Sequence, residues 1–248
     1  MIHLLSFIYK WIHFYIGNVY RLLTSSVFQK KIPIDEVRSI FGASFGASGW
    51  HHISTTLQEY DANHDIDYRD TTMYVFLKNF KPSSICDFVD GSSASKLPLF
   101  VYPWGTFQSG ECFSRKDPYL SRFCGPSSDS FIKEEFDRTI ALYEKIKLDG
   151  YQPWRFGNTF VGGTFLVRSD GSERFIVLQG NHRMAIFGHL GFQTVVVRNI
   201  SGNLWTIKET DISEWLLVKS GICPLDVAKS VFDLFFSQNG SHLAKILN

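Results

Sequence analysis

The sequence predicts a mixed α+β fold, and three observations support this class. Short apolar, β-branched runs typical of buried strands occur at 160–167, 175–178 and 194–197. A longer amphipathic pattern, 131–148, predicts a helix that stops at Gly150. A second helical pattern follows Gly180, directly after one of the strand runs. Strands and helices therefore alternate in the second half of the chain.

The first segment, residues 1–24, is predicted to be an amphipathic helix. Polar or small residues recur every three or four positions and share one narrow face: His3, Ser6, Lys10, His13, Gly17, Arg21 and Thr24. The remaining surface is wide, apolar and aromatic, which fits a membrane surface better than a membrane-spanning position. Packing against protein or a second subunit is the alternative. We expect a cytoplasmic protein that lies peripherally on the inner face of a membrane if this helix binds lipid.

Residues 25–110 form an accessory region with weaker patterning. A short helix is predicted at 34–41 and another at 72–80, which ends before Pro82. The Asp-rich stretch 61–70 lacks the central Gly and terminal Glu of an EF-hand, so a solvated loop is predicted.

Residues 42–49 form a Gly/Ser/Ala-rich loop that is not a Walker A sequence. A flexible loop or a surface turn is the simpler interpretation. His51 and His52 follow this loop. Their adjacent spacing is not that of a metal pair, although one of them could contact a ligand.

The strand–turn–helix around Gly180 is where the sequence places chemistry. A helix N-terminus attracts anions, and glycine lets the backbone approach a ligand closely. His182 and Arg183 add donors suited to phosphate. The alternative is an N-capping Asn181 followed by two solvated side chains.

Gly180-Asn181-His182-Arg183 resembles the G-x-H-R motif of the ParB/sulfiredoxin superfamily. The context is similar too, because a helix, Gly150, Pro153 and two strands precede the motif and a strand follows it. The resemblance covers about residues 115–199 and implies a ParB/sulfiredoxin-like core with added helices. It divides the chain into the helix 1–24, the accessory region 25–110, a core domain 111–200 and a helical cap 201–248. The cap is predicted to contain helices at 207–217 and 224–236.

The resemblance implies different chemistries for different branches of the superfamily. Sulfiredoxins carry a catalytic Cys where this chain has Asn181, which excludes their reaction. ParB proteins bind CTP and DNA and continue into a helix-turn-helix region, whereas the residues after Asn199 are few and not basic. Free-serine kinases of the superfamily hold nucleotide phosphates with this motif. That role implies phosphate binding by Gly180, Asn181, His182 and Arg183, with His182 also catalytic.

The remaining candidate residues lie in the polar loop before the core helix. Glu111 and Asp117 are candidates for the catalytic carboxylate that positions an acceptor hydroxyl or Mg²⁺. Arg122 could neutralise a phosphate, or form an ordinary surface ion pair.

Composition narrows the function further. A net charge of +1 gives no support to a strongly electrostatic DNA binder, so nucleic acid is not an expected partner. The four Cys show neither C-x-x-C spacing nor a metal pattern, so no metal site is predicted and a reducing compartment is the simplest setting.

The expected function is a nucleotide-dependent phosphotransferase acting on a small hydroxylated substrate, such as a sugar or glycan precursor, near the membrane. Its cofactors would be ATP, ADP or CTP with Mg²⁺. The alternative is a non-catalytic nucleotide- or anion-binding regulatory module. A ParB-like DNA-binding or nuclease protein ranks third.

Overall fold

Six β-strands form one mixed sheet, with helices packed around it. The computed structural model describes residues 29–89, 97–105, 123–153, 160–200 and 205–245. In chain order the strands are β1 (Gln29–Pro33), β2 (Val37–Arg38), β3 (Val161–Val167), β4 (Glu173–Gln179), β5 (Thr194–Asn199) and β6 (Thr206–Lys208). The predicted mixed α+β class is confirmed.

The central strand of the sheet is β3. The strand order is β1-β5-β3-β4-β2, and β6 pairs with the second half of β3. β3 runs antiparallel to β4 and parallel to β5 and β6. β1 is antiparallel to β5, and β2 is parallel to β4. Residues 161–166 are all buried, which explains why β3 appears in the sequence as a continuous apolar run without alternation.

The helices of the described residues come before, between and after the core strands. They are α1 (His52–Ala62), α2 (Thr72–Asn79), α3 (Asp129–Asp149), α4 (Asn181–His189), α5 (Leu216–Lys219), α6 (Leu225–Ser237) and α7 (Ser241–Ala244). Short 3-10 helices lie at Ile34–Glu36, Tyr68–Asp70, Ile85–Phe88 and Glu209–Glu214. The predicted helices at 72–80, 131–148 and 224–236, and the one after Gly180, are confirmed as α2, α3, α6 and α4.

Helix α4 packs against both α1 and α3. The Ser54 hydroxyl of α1 donates to the Ala185 carbonyl at 3.3 Å. Near the end of α4, Gly188 lies against the 42–49 loop so closely that a Cβ there would be 1.8 Å from the Phe45 carbonyl oxygen. Residues 42–46 of this loop are buried, where Phe45 lies against α4 and Gly42 lies near Leu234 and His242. Glycine is therefore required by packing at position 188, although this residue is helical.

Two local predictions are wrong. Residues 34–41 form one 3-10 turn followed by β2, because Val37 and Arg38 pair with β4. The predicted helix at 207–217 contains β6, a 3-10 helix and only the start of α5, since Ile207 pairs with Leu166 of β3. Ser128 caps α3 by accepting the Phe131 N–H at 3.2 Å.

The sheet draws its strands from three of the regions suggested by the sequence. β1 and β2 come from the accessory region, β3 to β5 from the core and β6 from the C-terminal cap. Buried apolar residues from all three regions belong to one cluster. The sheet thus crosses the expected boundaries at residues 110 and 200.

No helix in the described ranges is both long and apolar enough to cross a bilayer. Residues 1–24, where the sequence predicts an amphipathic helix, lie outside those ranges.

Candidate functional site

The turn between β4 and α4 is built on Gly180. Its φ of +102° lies in the left-handed region, where residues with a Cβ are strained. The first helical bond of α4 runs from the Met184 N–H to the Gly180 carbonyl at 2.9 Å. No side chain of a described residue caps this N-terminus. The first N–H groups of a helix have no intrahelical acceptor, so this end can bind an anion. The alternative N-cap role of Asn181 is excluded, since Asn181 is the first helical residue.

A cavity of about 460 Å³ opens at this N-terminus. Its described lining divides into polar and apolar parts. The polar part includes His51, His52, Arg138, Gln179, Asn181, His182 and Arg183. The apolar part includes Ile40, Phe41, Ile53, Phe76, Phe123, Leu142, Leu178 and Leu243. This volume and mixed lining are typical of a small-molecule site.

A carboxylate from α3 orients His182. Glu135 Oε2 lies 3.2 Å from His182 Nε2 and forms an ion pair with Arg138. Arg138 Nη2 also lies 3.3 Å from His182 Nε2. Burial of Glu135 favours its neutral form, but His182 and Arg138 outweigh this effect and hold the pKa of the carboxyl below its ordinary value. Glu135 is therefore ionised. Its side chain is only 6% exposed and contacts His182, so it positions the imidazole ring.

Two polar atoms at the start of α4 are sealed from solvent without a hydrogen-bond partner among the described residues. They are Arg183 Nη1 and Asn181 Oδ1. Burial lowers the pKa of Arg183 from its ordinary value, an effect that nearby Tyr151 partly opposes. Buried polar groups are nearly always hydrogen-bonded, so these two atoms mark a point where a ligand or a water molecule could supply the missing partners.

His51 and His52 form another part of the cavity wall. Their rings stack at 4.5 Å between centroids, and they continue onto Phe45 at 4.6 Å and Phe76 at 4.1 Å. Burial, reinforced by His182, lowers the pKa of His51 to about 3. Burial, reinforced by His51 and His182, places the pKa of His52 well below its ordinary value. Both rings are therefore neutral at physiological pH.

The structure brings together some of the predicted site residues. Gly180, Asn181, His182 and Arg183 all line the cavity. Glu111, Asp117 and Arg122 lie outside the described residues.

Sequence reasoning missed Glu135 and Arg138 as site residues. The helical spacing could have identified Glu135, because this residue falls three residues after Ile132 and four before Thr139, on the buried face of α3. A charged residue on such a face requires a partner.

Within the described residues, no group of three or more His, Cys, Asp and Glu side chains could hold a metal ion. Likewise, the described lining of the cavity contains no Asp or Glu. These residues therefore provide no carboxylate ligand set for Mg²⁺. Comparisons with protein-family models, with curated proteins and with solved structures found no match to this chain.

Proposed function

We propose that the protein binds nucleotide phosphates at the N-terminus of α4 and transfers a phosphoryl group to a small hydroxylated acceptor. The single observation that carries this proposal is Arg183. Its buried Nη1 has no hydrogen-bond partner among the described residues and lies beside an uncapped helix N-terminus on a cavity. Arg183 lines the cavity, so a phosphate bound there would meet its guanidinium and would supply an acceptor for Nη1 once the guanidinium turns toward the cavity.

The electrostatics of this end of the cavity favour an anion. Arg183 and Arg138 bring two guanidinium groups to the lining, and the α4 dipole adds positive potential. A buried cation without a counter-ion is costly, and a phosphate offsets that cost with charge-assisted hydrogen bonds. Arg183 can bind phosphate through two parallel N–H donors.

His182 would act on the transferring group. Glu135 fixes its ring, and a histidine held in this way can donate a hydrogen bond or a proton to a phosphate oxygen. The carboxylate that receives the acceptor proton would be Glu111 or Asp117, outside the described residues. Mg²⁺ bound with the nucleotide would neutralise phosphate charge.

The order of elements supports the same proposal. The chain passes through α3, β3, β4, the Gly180 turn, α4 and β5, which is the order that the resemblance to the ParB/sulfiredoxin superfamily implies. Gly180 adopts a positive φ, which lets the strand turn sharply into the helix that carries the motif. The superfamily assignment is part of this proposal.

A non-catalytic anion- or nucleotide-binding module is the second candidate. It is favoured by the absence of Asp and Glu from the described lining, which leaves no carboxylate there to serve as the general base. Glu135 does not fill that role, because it is outside the described lining, it pairs with His182 and Arg138, and its lowered pKa makes it a weak base.

The two candidates separate by turnover. ATP, ADP and CTP binding with Mg²⁺ should be measured by calorimetry, and phosphate release or transfer by ³¹P NMR. Arg183→Ala should weaken nucleotide binding about 10- to 100-fold, which corresponds to one or two lost charge-assisted hydrogen bonds. The matched control is Arg168→Ala, since Arg168 pairs with Asp233 away from the cavity.

Nucleotide turnover that is lost in both Arg183→Ala and His182→Ala supports the transferase. Binding without turnover across sugar and amino-acid acceptors favours the binding module. A folded wild-type protein that binds none of the three nucleotides contradicts both candidates.

We also propose that residues 1–24 hold the protein peripherally at a membrane surface. Co-sedimentation with anionic lipid vesicles should require these residues. Equal co-sedimentation after their removal would contradict this part of the proposal.

A further inference from the structure

The His51–His52 pair offers only the edges of its rings to the cavity. His52 stacks on Phe76 with an interplanar angle of 7° and on His51 with 23°. Rings this close and parallel must lie on opposite faces of His52. The faces are thus covered by aromatic neighbours, and a ligand can meet only the nitrogens at the edge.

The hydrogen-bonding direction of His51 is defined by α1. Its Nδ1 accepts the Ile53 N–H at 3.2 Å, so in the neutral ring the proton is on Nε2. His51 is 5% exposed and lines the cavity, and its Nε2 is not among the sealed polar atoms of the described residues. It therefore presents a hydrogen-bond donor to the cavity.

His52 adds an acceptor and a second donor. It makes no hydrogen bond with a described residue, and neither ring nitrogen is sealed. A neutral imidazole carries one N–H and one lone pair. Together the two histidines present donors and an acceptor without charge, in contrast to the cationic end around Arg183.

We propose that the His51–His52 pair binds an uncharged hydroxyl group of a ligand whose phosphate occupies the Arg183 end. A hydroxyl both donates and accepts, so it matches the edge of a neutral imidazole. A second phosphate would not, because it requires positive charge or several donors. This inference rests on the proposed anion site and identifies the ligand class as a hydroxylated phosphate ester, or a phosphate and a hydroxylated acceptor bound together.

Two small phosphate esters of equal backbone length test the subsite. Glycerol 3-phosphate carries two hydroxyl groups that propyl phosphate lacks. By calorimetry, wild-type protein should bind glycerol 3-phosphate about fivefold more tightly, as one or two net hydrogen bonds predict. His52→Phe keeps a ring stacked on Phe76 but removes the nitrogens. It should lose this preference and retain the affinity for propyl phosphate.

The matched control is His64→Phe, which replaces an exposed histidine outside the cavity lining. It should retain the wild-type preference. Equal affinity of wild type for the two esters overturns the hydroxyl subsite even if His52→Phe fails to fold. An equal loss of both affinities in folded His52→Phe also overturns it.

Inorganic pyrophosphate separates the two proposals. If pyrophosphate binds to wild-type protein but the hydroxyl groups make no difference, only the hydroxyl subsite is wrong. If neither pyrophosphate nor either ester binds, the anion site itself is wrong, and the proposed function fails with it.

Discussion

The two ends of α4 carry the same pair of groups in opposite surroundings. At the N-terminus His182 lies 3.2 Å from Glu135 of α3, and at the C-terminus His189 lies 2.7 Å from Asp61 of α1. Each pair joins α4 to a neighbouring helix. The difference lies in what else the carboxylate and the imidazole contact.

The C-terminal end is closed. Asp61 accepts the Tyr143 hydroxyl at 2.8 Å and lies 3.5 Å from Lys147, so this carboxylate has several partners. Lys147 also donates to the Tyr143 hydroxyl at 3.1 Å. A cation is favoured by the dipole at a helix C-terminus. This cluster therefore joins three helices, and its role is structural.

The N-terminal end is open. His182 and Arg138 line a cavity, and Arg183 Nη1 next to them is sealed without a hydrogen-bond partner in the described part of the chain. The positive potential at a helix N-terminus favours an anion in this cavity. The comparison teaches that a His–carboxylate pair alone does not identify a site. The surrounding cavity and the unsatisfied atoms do.

Acid pH should affect the two ends in different ranges, with the largest effect at the cavity. His51 and His52 are neutral in the folded protein, so the unfolded chain binds more protons below about pH 6.5. The free energy of unfolding should therefore decrease as the pH is lowered, by up to about 1.4 kcal/mol per pH unit for each histidine. The pKa of Asp61 is lowered because its contacts with His189, Tyr143 and Lys147 outweigh its burial, so its contribution is lost only below about pH 4.

Urea unfolding between pH 7 and pH 4.5 measures this dependence. In His52→Phe, the slope of the free energy of unfolding against pH should lose the contribution of one histidine. His64→Phe should keep the wild-type slope. A stability that is constant across this range would contradict the neutral, buried pair.

Gly188→Ala should disrupt the closed end of α4. Alanine in a helix is ordinarily favoured over glycine by about 1 kcal/mol. Here the added Cβ would be 1.8 Å from the Phe45 carbonyl oxygen, a backbone atom that cannot move alone. We expect the free energy of unfolding to fall by about 2 kcal/mol, as in other overpacked sites. Lys145→Ala on the exposed side of α3 is the control and should change it by less than about 0.5 kcal/mol. A stabilised Gly188→Ala would show that the loop yields.

Two isosteric substitutions compare the carboxylates directly. Asp61→Asn should lower stability by about 1 kcal/mol, discounted because the side chain is one-third exposed, and should leave ATP affinity unchanged. Glu135→Gln removes a negative charge beside the anion site, so ATP should bind about two- to fivefold more tightly. Calorimetry and urea unfolding of each variant measure both quantities. An altered ATP affinity in Asp61→Asn alone would reverse the assignment of the two ends.

The site residues at the start of α4 are more predictable from the sequence than those that come from other helices. Gly180, His182 and Arg183 lie within four consecutive residues. A strand run followed by glycine and a helical pattern commonly folds as a strand, a tight turn and a helix. Arg138 of α3 and His51 and His52 at the start of α1 reach the same cavity, and Glu135 of α3 reaches it through its contact with His182. No local sequence pattern predicts that these four side chains meet at the α4 N-terminus, because their positions depend on how the helices pack.

The same limit applies to the secondary structure. The helices at 72–80, 131–148 and 224–236 are correctly predicted, since each carries its own periodicity. Residues 34–41 and 207–217 contain short strands, whose pairing partners lie far away in the chain. A two- or three-residue strand has too few residues to show a period of its own.

By itself the sequence determined the mixed α+β class, the principal strands and helices, and the strand–glycine–helix turn that suits an anion, because these depend on periodicity and on the conformational freedom of one glycine. Only the tertiary structure decided that β1, β2 and β6 join the same sheet, that α4 is closed at one end and open at the other, and that two neutral histidines face the cavity. Those features arise from contacts between distant residues and from the burial they cause, which alters charge states and leaves particular atoms unsatisfied.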